Sequence, residues 1–399
     1  MTSLDIDIDQ IQGFPLAPLL SILRNLTLLR FYATWDNNNE GILGALKIPF
    51  TTQLTILDLR YRTNEDTDQI AFTVHEIQQL VRSSPHLQLL SLSSCPDEIY
   101  DEVAQHCPNI QQLIINAWYL MFTTIDDEDE SYGLKVLAPA DVRSGNALES
   151  LLNRHASSLE TLHLTQTEIF SDMIGNWDTF SKVTFSNLAH IIMCSVDPEI
   201  LQQLPRMVQE TSQLEILSIE DIDGVVPDSV FETLVVKFPN FKKLTLHSCD
   251  FNNTALSNCL DSFATGSARS SFLTVLDIYS TKGYTDDTVL ETCARIKSLK
   301  RLSIYHSRAS QNAVESFAKN VAELPRLETL NIYNLPMTEK DIQIIGKNSS
   351  ISKIYLVFSK GITKEQARSA FSPHVVVRFG DAFDEYDYDS DAYYIENDN

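Results

Sequence analysis

One spacing of apolar residues recurs along almost the whole chain and constrains its fold more than any other feature. The pattern L-x-x-L-x-L, with apolar residues at positions 1, 4 and 6, occurs twice within residues 87–118. In a β-strand, positions 4 and 6 point to the same face, so each copy indicates a short strand with one buried side. The copies begin at Leu26, Leu54, Leu87, Ile110, Leu159, Leu188, Leu214, Phe241, Leu273, Leu299, Leu327 and Ile351.

The distance between copies identifies the architecture. Most successive copies begin 23 to 33 residues apart, close to the length of leucine-rich repeats, and one gap of 49 residues is longer. That gap divides if Leu134 and Leu137 belong to a degenerate copy with Pro139 in its sixth place. The sequence therefore predicts an α/β leucine-rich-repeat solenoid, a horseshoe of about 12–13 repeats with parallel strands on the concave face and helices on the convex face.

Apolar residues at helical spacing fill the intervals between the strand patterns. The segments 285–298, 310–324 and 227–238 each place their large apolar residues on one face of a helix, and Thr338 followed by Asp341 resembles a helix-capping signal. A single strand–helix unit cannot bury both apolar faces, whereas stacked neighbours can. The predicted helix faces are Val289, Leu290, Cys293 and Ile296; Ala313, Val314, Phe317, Ala318 and Val321; and Val230, Phe231, Leu234, Val235 and Phe238.

Two acidic segments interrupt or follow the repeats. We expect residues 1–380 to form one solenoid, with an acidic loop at 119–133 that contains the run DDEDE. Residues 381–399 carry eight acidic residues and no basic one, which predicts a disordered acidic tail. Interleaved tyrosines leave open that this tail solubilises the protein, binds a basic partner or folds back on the solenoid.

Charge and cysteine usage limit the environment and the partners. A formal net charge of −24 argues against nucleic acid and anionic membranes as partners, because both are bound by clustered Lys and Arg. The acidic N-terminus lacks the features of a secretory signal, and six scattered cysteines fit reduced thiols better than a disulfide framework. We therefore expect a monomer in the cytoplasm, the nucleus or both.

The repeats also resemble a known family. The units at 87–115 and 273–305 are similar to the cysteine-containing repeats of F-box/LRR proteins, of the ribonuclease-inhibitor-like type. Residues 14–35 resemble the opening of an F-box but are too few to pack its three helices. The resemblance implies a substrate-recognition subunit of an SCF-type ubiquitin ligase that binds a substrate and the ligase adaptor. The matching residues are Cys95, Cys107, Pro108, Cys249, Thr285, Asp286 and Cys293.

The position that follows each strand pattern is the candidate binding surface. Three consecutive repeats place Tyr279, Tyr305 and Tyr333 there, and His247 and Arg60 occupy the same position in other repeats. Parallel strands lie about 4.8 Å apart, so these side chains would form a row. Tyrosine is common at binding hot spots, but tyrosines also suit strands and can simply cover one another. Further candidates, in the neighbouring row, are Asp277, Asn331 and Tyr355.

Motifs of catalysis are missing from the sequence. There is no zinc-protease, nucleophile-elbow or phosphate-loop motif, and the His and Cys spacing around 86–107 follows the repeat rather than a zinc site. No basic cluster suited to a small acidic ligand is recognised in the groove. We therefore predict a non-enzymatic protein-binding scaffold without cofactor, metal or catalytic residue. The alternative is a Ran-type GTPase-activating protein, a class that also combines such repeats with an acidic tail.

Overall fold

The protein consists of two compact units. They comprise residues 1–188 and 189–399. A computed structural model describes residues 2–8, 25–35, 51–63, 74–93, 97–115, 133–139, 148–165, 179–196, 198–211, 213–269, 272–279, 286–305, 309–357 and 362–380. Residues 119–132 of the predicted acidic loop, which extends to residue 133, and the predicted tail at 381–399 lie outside these residues.

The first unit alternates strands with helices, and its paired strands are parallel neighbours in chain order. Its described strands are β1 (Ser3–Ile8), β2 (Leu28–Trp35), β3 (Ile56–Thr63), β4 (Leu89–Leu92), β5 (Gln112–Ile115), β6 (Val136–Ala138) and β7 (Thr161–Thr165). Its described helices are α1 (Val74–Ser83), α2 (Glu98–His106), α3 (Glu149–His155) and α4 (Thr179–Lys182).

The second unit repeats the same alternation, with a small separate pair of strands beside the main sheet. The main sheet contains β8 (His190–Cys194), β9 (Ile216–Glu220), β11 (Lys243–His247), β13 (Val275–Tyr279), β14 (Arg301–Tyr305), β15 (Thr329–Tyr333), β16 (Lys353–Val357) and β17 (Val376–Gly380), all parallel. The small pair is β10 (Val225–Val226) with β12 (Asp250–Phe251). The helices are α5 (Pro198–Glu210), α6 (Asp228–Lys237), α7 (Asn253–Thr265), α8 (Asp287–Cys293), α9 (Gln311–Ala322), α10 (Glu339–Ile345) and α11 (Lys364–Ala370).

The repeated apolar positions form the core of each unit. In β14 and β15, for example, Leu302, Ile304, Leu330 and Ile332 are completely buried. Burying one such side chain stabilises the fold by about 1.5–3 kcal/mol, so the strand pattern is the main source of stability. The predicted fold class is confirmed in both units, since each is a leucine-rich-repeat solenoid of parallel strands and helices.

The degenerate repeat is real. Leu134 and Leu137 are fully buried, and β6 pairs with the strands before and after it. His155 in α3 accepts a hydrogen bond from the Leu134 amide through Nδ1 at 3.2 Å, and burial lowers the pKa of His155 to about 4. The imidazole is therefore neutral near pH 7, and it supplies the acceptor for the Leu134 amide at the start of this repeat. Counting the degenerate repeat, thirteen copies of the sequence pattern form strands of the main sheet. Strands β1 and β17 also belong to this set of described strands but do not carry the pattern.

The predicted helix faces are buried with one exception. All the predicted apolar residues of α9 are buried. Those of α8 are buried too, as is Ile296 just beyond its end. In α6, Val230, Phe231 and Leu234 are buried but Val235 is only partly covered. Val235 lies at the edge of the buried stripe, where the helical period places it beside the exposed Val236.

The predicted capping signal is a complete capping box at the start of α10. The Thr338 side chain accepts a hydrogen bond from the Asp341 amide at 3.4 Å, and Asp341 Oδ2 accepts one from the Thr338 amide at 2.8 Å. The Thr338 hydroxyl also donates to Asp341 Oδ2 at 2.7 Å, and Asp341 is fully buried. These bonds satisfy amides that the first turn of a helix leaves without partners.

We expect Thr338→Ala to lower the free energy of unfolding by about 1 kcal/mol, because it removes the acceptor of the cap. Thr338→Ser retains the hydroxyl and should retain most of the stability. Denaturant titration of the three proteins measures the difference. A Thr338→Ala midpoint equal to that of the wild type would show that the cap contributes nothing.

Candidate protein-binding surface

Strand register in the second unit places the candidate aromatic residues in one row. The last residues of β11, β13, β14 and β15 are aligned partners, and we call His247, Tyr279, Tyr305 and Tyr333 the aromatic row. Because the pairing is parallel and without bulges in these strands, a position repeated in the sequence becomes a line across the sheet. The predicted row therefore exists as a structural feature.

The rings of the aromatic row contact one another in sequence. His247 stacks on Tyr279 with ring centroids 4.4 Å apart, and Tyr305 stacks on Tyr333 at 3.8 Å with an angle of 11° between the planes. Tyr279 and Tyr305 meet edge to face at 4.8 Å. All four residues remain partly exposed. The row is thus both a self-packed cluster and an accessible surface.

Turns at the ends of the strands hold this edge of the sheet in place. Four residues that directly follow a strand have positive φ angles between 48° and 55°. The amide of each donates a hydrogen bond to the carbonyl of the last residue of the next strand, which links neighbouring repeats beside the row. The bonds are Ser195 to Glu220, Asp221 to His247, Ser248 to Tyr279 and Asn334 to Val357.

His247 is fixed from a second direction by an acidic side chain. Its Nδ1 lies 3.3 Å from Asp221 Oδ1, and this hydrogen bond holds the pKa of the Asp221 carboxyl below its usual range. At the other end of the row, burial raises the pKa of the Tyr333 phenol. Tyr333 therefore keeps its proton to higher pH than an exposed tyrosine.

The neighbouring row, two residues earlier in each strand, is more deeply covered. We call Asp277, Ser303, Asn331, Tyr355 and Arg378 the middle row, since they are aligned across β13 to β17. Asn331 is only 6% exposed and donates to Ser303 Oγ at 3.0 Å. Because Asn331 is covered, it can affect binding mainly by holding its neighbours in position. Its Oδ1 has no hydrogen-bond partner among the described residues.

Tyr355 lies beside the aromatic row, as its position in the sequence predicts, and it has a cationic partner. The guanidinium of Arg378 is 5.3 Å from the centroid of its ring, a distance typical of a cation–π contact. Asp277 lies 3.6 Å from Arg301, long for a hydrogen bond but within the range of an ion pair. The middle row is thus partly neutralised by cations on the same face.

Those cations are the part of the surface that the sequence reading missed. Lys243, Arg301 and Lys353 occupy the third position of their strand patterns and are aligned across the sheet, and Arg378 lies on the same face. In the main-sheet strands β11 and β13 to β17, Asp277 is the one acidic residue. The signal was present in the sequence as a basic residue at the third position of alternate repeats, but it becomes a patch only when the strands are in register.

The first unit does not offer the same surface at its central strands. Every residue of β4 and β5 is buried, which includes Ser91 and Ile114 on the face that corresponds to the middle row. Arg60 belongs to β3, and its side chain lies outside the described residues. The accessible aromatic surface among the candidates is therefore in the second unit.

The described residues contain no cluster of metal-binding side chains. No group of three or more His, Cys, Asp and Glu residues there is placed to hold a metal. The five described cysteines are free thiols, and burial raises the pKa of Cys107, Cys249, Cys259 and Cys293 to about 12, which keeps them protonated and unreactive. None of the described helices combines the length and apolar composition that crossing a bilayer requires.

Comparison with known proteins finds similarity in structure but not in sequence. No protein-family model matches the chain, and no curated protein does. Among solved structures, 63 chains are similar. One is an internalin from Listeria monocytogenes, which is 16% identical, with a TM-score of 0.41 over 95% of this chain and 87% of that chain.

We expect the rings of the aromatic row to stabilise one another, and a double-mutant cycle of Tyr305→Ala and Tyr333→Ala measures this. Stacked aromatic pairs are coupled by about 0.5–1.5 kcal/mol, so the double mutant should lose less stability than the two single mutants together. Tyr305→Ala combined with Val236→Ala, an exposed residue of α6, should be additive. Additivity in the tyrosine pair would mean that the rings touch without stabilising each other.

Proposed function

We propose that this protein is a non-enzymatic scaffold that binds a partner protein through the aromatic row of the second unit. The observation that carries the proposal is a contiguous, partly exposed run of one histidine and three tyrosines on a regular sheet face. Tyrosine combines a large apolar surface with a hydrogen-bonding hydroxyl, and it is enriched among residues that dominate binding energy.

The packing of the row favours binding in a second way. Each ring is held by its neighbour, and His247 is also held by Asp221. Side chains that are ordered before binding lose less conformational entropy when a partner arrives. The row therefore presents several anchors whose geometry is already set.

The shape of the surface suits a polypeptide better than a small molecule. Small ligands are usually held in concave pockets that bury most of their surface. The face from β11 to β17 spans five strand spacings, or about 24 Å, and is about 16 Å long in the strand direction. This is room for an extended segment of roughly seven residues, with its side chains between the basic row of Lys243, Arg301 and Lys353 and the aromatic row.

Two buried polar atoms on this face support a hydrogen-bonding partner. Thr245 Oγ1 and Asn331 Oδ1 have no hydrogen-bond partner among the described residues, although both residues are more than 90% buried. Buried polar atoms in folded proteins are usually paired. A donor from a bound chain, or a water that it orders, would satisfy them.

The narrower role, as a substrate-recognition subunit of an SCF-type ubiquitin ligase, requires a segment that binds the ligase adaptor. The candidate segment is residues 14–35, of which 14–24 lie outside the described residues. Residues Leu28–Trp35 form the repeat strand β2, and Leu26 and Leu29 are buried. A strand in the sheet cannot also serve as an F-box helix, so any adaptor contact would depend on the residues before it. No described residue gives a specific reason to favour the Ran-type alternative.

We expect Tyr305→Ala to weaken retention of a specific partner by more than about 1 kcal/mol, or roughly fivefold or more in Kd, because a ring at the centre of the row is lost. Tyr305→Phe keeps the ring and should keep most of the affinity. Affinity purification on the wild-type chain identifies proteins whose retention falls with Tyr305→Ala, and titration of the purified partner gives Kd. Val236→Ala is the control. Equal retention by Tyr305→Ala and wild type would exclude the row as the binding site.

The ligase role is tested separately by a pull-down of the full chain with the purified adaptor. Binding that survives Tyr305→Ala but is lost on changing apolar residues within 14–24, such as Leu19→Ala with Leu20→Ala, supports an adaptor site in that segment. Absence of binding by the wild-type chain at micromolar concentration removes the ligase role and leaves the scaffold role standing.

A further inference from the structure

The outward face of the main-sheet strands β11 and β13 to β17 is basic although the chain as a whole is strongly acidic. The chain has 54 acidic and 30 basic residues, yet the main-sheet strands β11 and β13 to β17 carry four cations and one acid on this face. Lys353 and Arg378 are exposed, and Arg301 retains 31% exposure of its side chain while it pairs with Asp277. This is a local surface to which an acidic polypeptide would be attracted.

The chain contains an acidic polypeptide that starts beside this surface. Residues 381–399 have the sequence DAFDEYDYDSDAYYIENDN. They include eight acidic residues, four tyrosines and no basic residue. They follow Gly380, the last residue of β17, which is in register with Val357 and therefore continues the line of the aromatic row. Two strand spacings, about 10 Å, separate this exit point from Tyr333.

The length of the segment is sufficient to cover the face. Four strand spacings, about 19 Å, lead from β17 to β13, and extended chain covers about 3.3 Å per residue. Six residues would span that distance, and nineteen follow Gly380. The segment can therefore cross the basic and aromatic rows without strain.

We propose that residues 381–399 bind across the outward face of β14 to β17 of their own chain. Their carboxylates pair with Lys353, Arg378 and Arg301, and their tyrosines contact the aromatic row. This inference goes beyond the proposed function and does not depend on it, but a partner for the same face would have to displace the segment.

Charge also sets where this segment stops. Toward β9 the surface becomes acidic, because Asp221 and Asp223 line a shallow depression with Asp250. Like charges repel, so the acidic segment is confined to the basic end of the face. Covalent attachment adds to the attraction, since a short flexible connection gives an effective concentration of about millimolar.

Zero-length carbodiimide coupling of the full chain, which joins carboxylates to lysine amines, tests this placement. We expect the C-terminal tryptic peptide to be coupled mainly to Lys353, and much less to Lys319 and Lys340, which lie on helices α9 and α10 and are exposed. In 1 M salt the Debye length falls to about 3 Å, and the Lys353 product should decrease severalfold. No product at Lys353, or equal coupling of all three lysines, would overturn the proposal.

Two controls separate the possible occupants and the role of the cations. In a mixture of 15N-labelled and unlabelled protein, products that join peptides of one isotope place the segment on its own chain, whereas mixed products assign it to a second copy and contradict the proposal.

Arg378→Gln should lower the Lys353 product about two- to fivefold, the loss expected for one exposed ion pair. Arg368→Gln, an exposed arginine of α11, should leave it unchanged; an equal decrease in both variants would argue against the assigned site. These measurements need no partner, so their failure is distinguishable from failure of the proposed function.

Discussion

The burial of repeated leucines between neighbouring repeats is the interaction on which the rest of the structure depends. Leu302 and Leu330 are completely covered although each belongs to a strand of five residues. A single strand and helix could not cover them, because each repeat supplies only part of the surrounding surface. Once the inward face of every strand is committed to this core, alternation directs the remaining side chains outward. The outward face is therefore free of the requirement to be apolar, and its composition can be set by binding.

Parallel register turns that freedom into organised surfaces. A residue type that recurs at one position of the repeat becomes a row at the strand spacing, and the left-handed turns after β9, β11 and β15 fix the ends of the strands. The aromatic row and the line of cations are two such rows on one face. Their contacts are specific to this chain: Tyr305 lies flat on Tyr333, while Arg378 covers Tyr355. The same rule gives a different surface in the first unit, where both faces of β4 and β5 are buried.

The sequence predicts those features that depend on local periodicity. The strand positions, the degenerate repeat at Leu134, the apolar face of α9 and the capping box at Thr338 follow from spacing within one repeat or between neighbours. The sequence does not show how deeply a side chain is covered by others on the same face, so it predicts an accessible Asn331, whereas this residue is nearly buried. The basic patch was missed for a related reason, since its members are about 25 residues or more apart and become neighbours only through the register of the sheet.

A basic face on an acidic protein has a consequence for any ligand of that face. If the segment 381–399 occupies the face for nine-tenths of the time, the apparent affinity of a competing partner falls about tenfold, which corresponds to about 1.4 kcal/mol. Added salt then acts in two opposite directions: it releases the attached segment and also weakens the charged contacts of the partner. The aromatic contacts respond less to salt, because they rest on apolar area and ring packing. At high salt, a partner that binds mainly through the aromatic row would therefore gain access to the face. A partner that binds through charge alone would not.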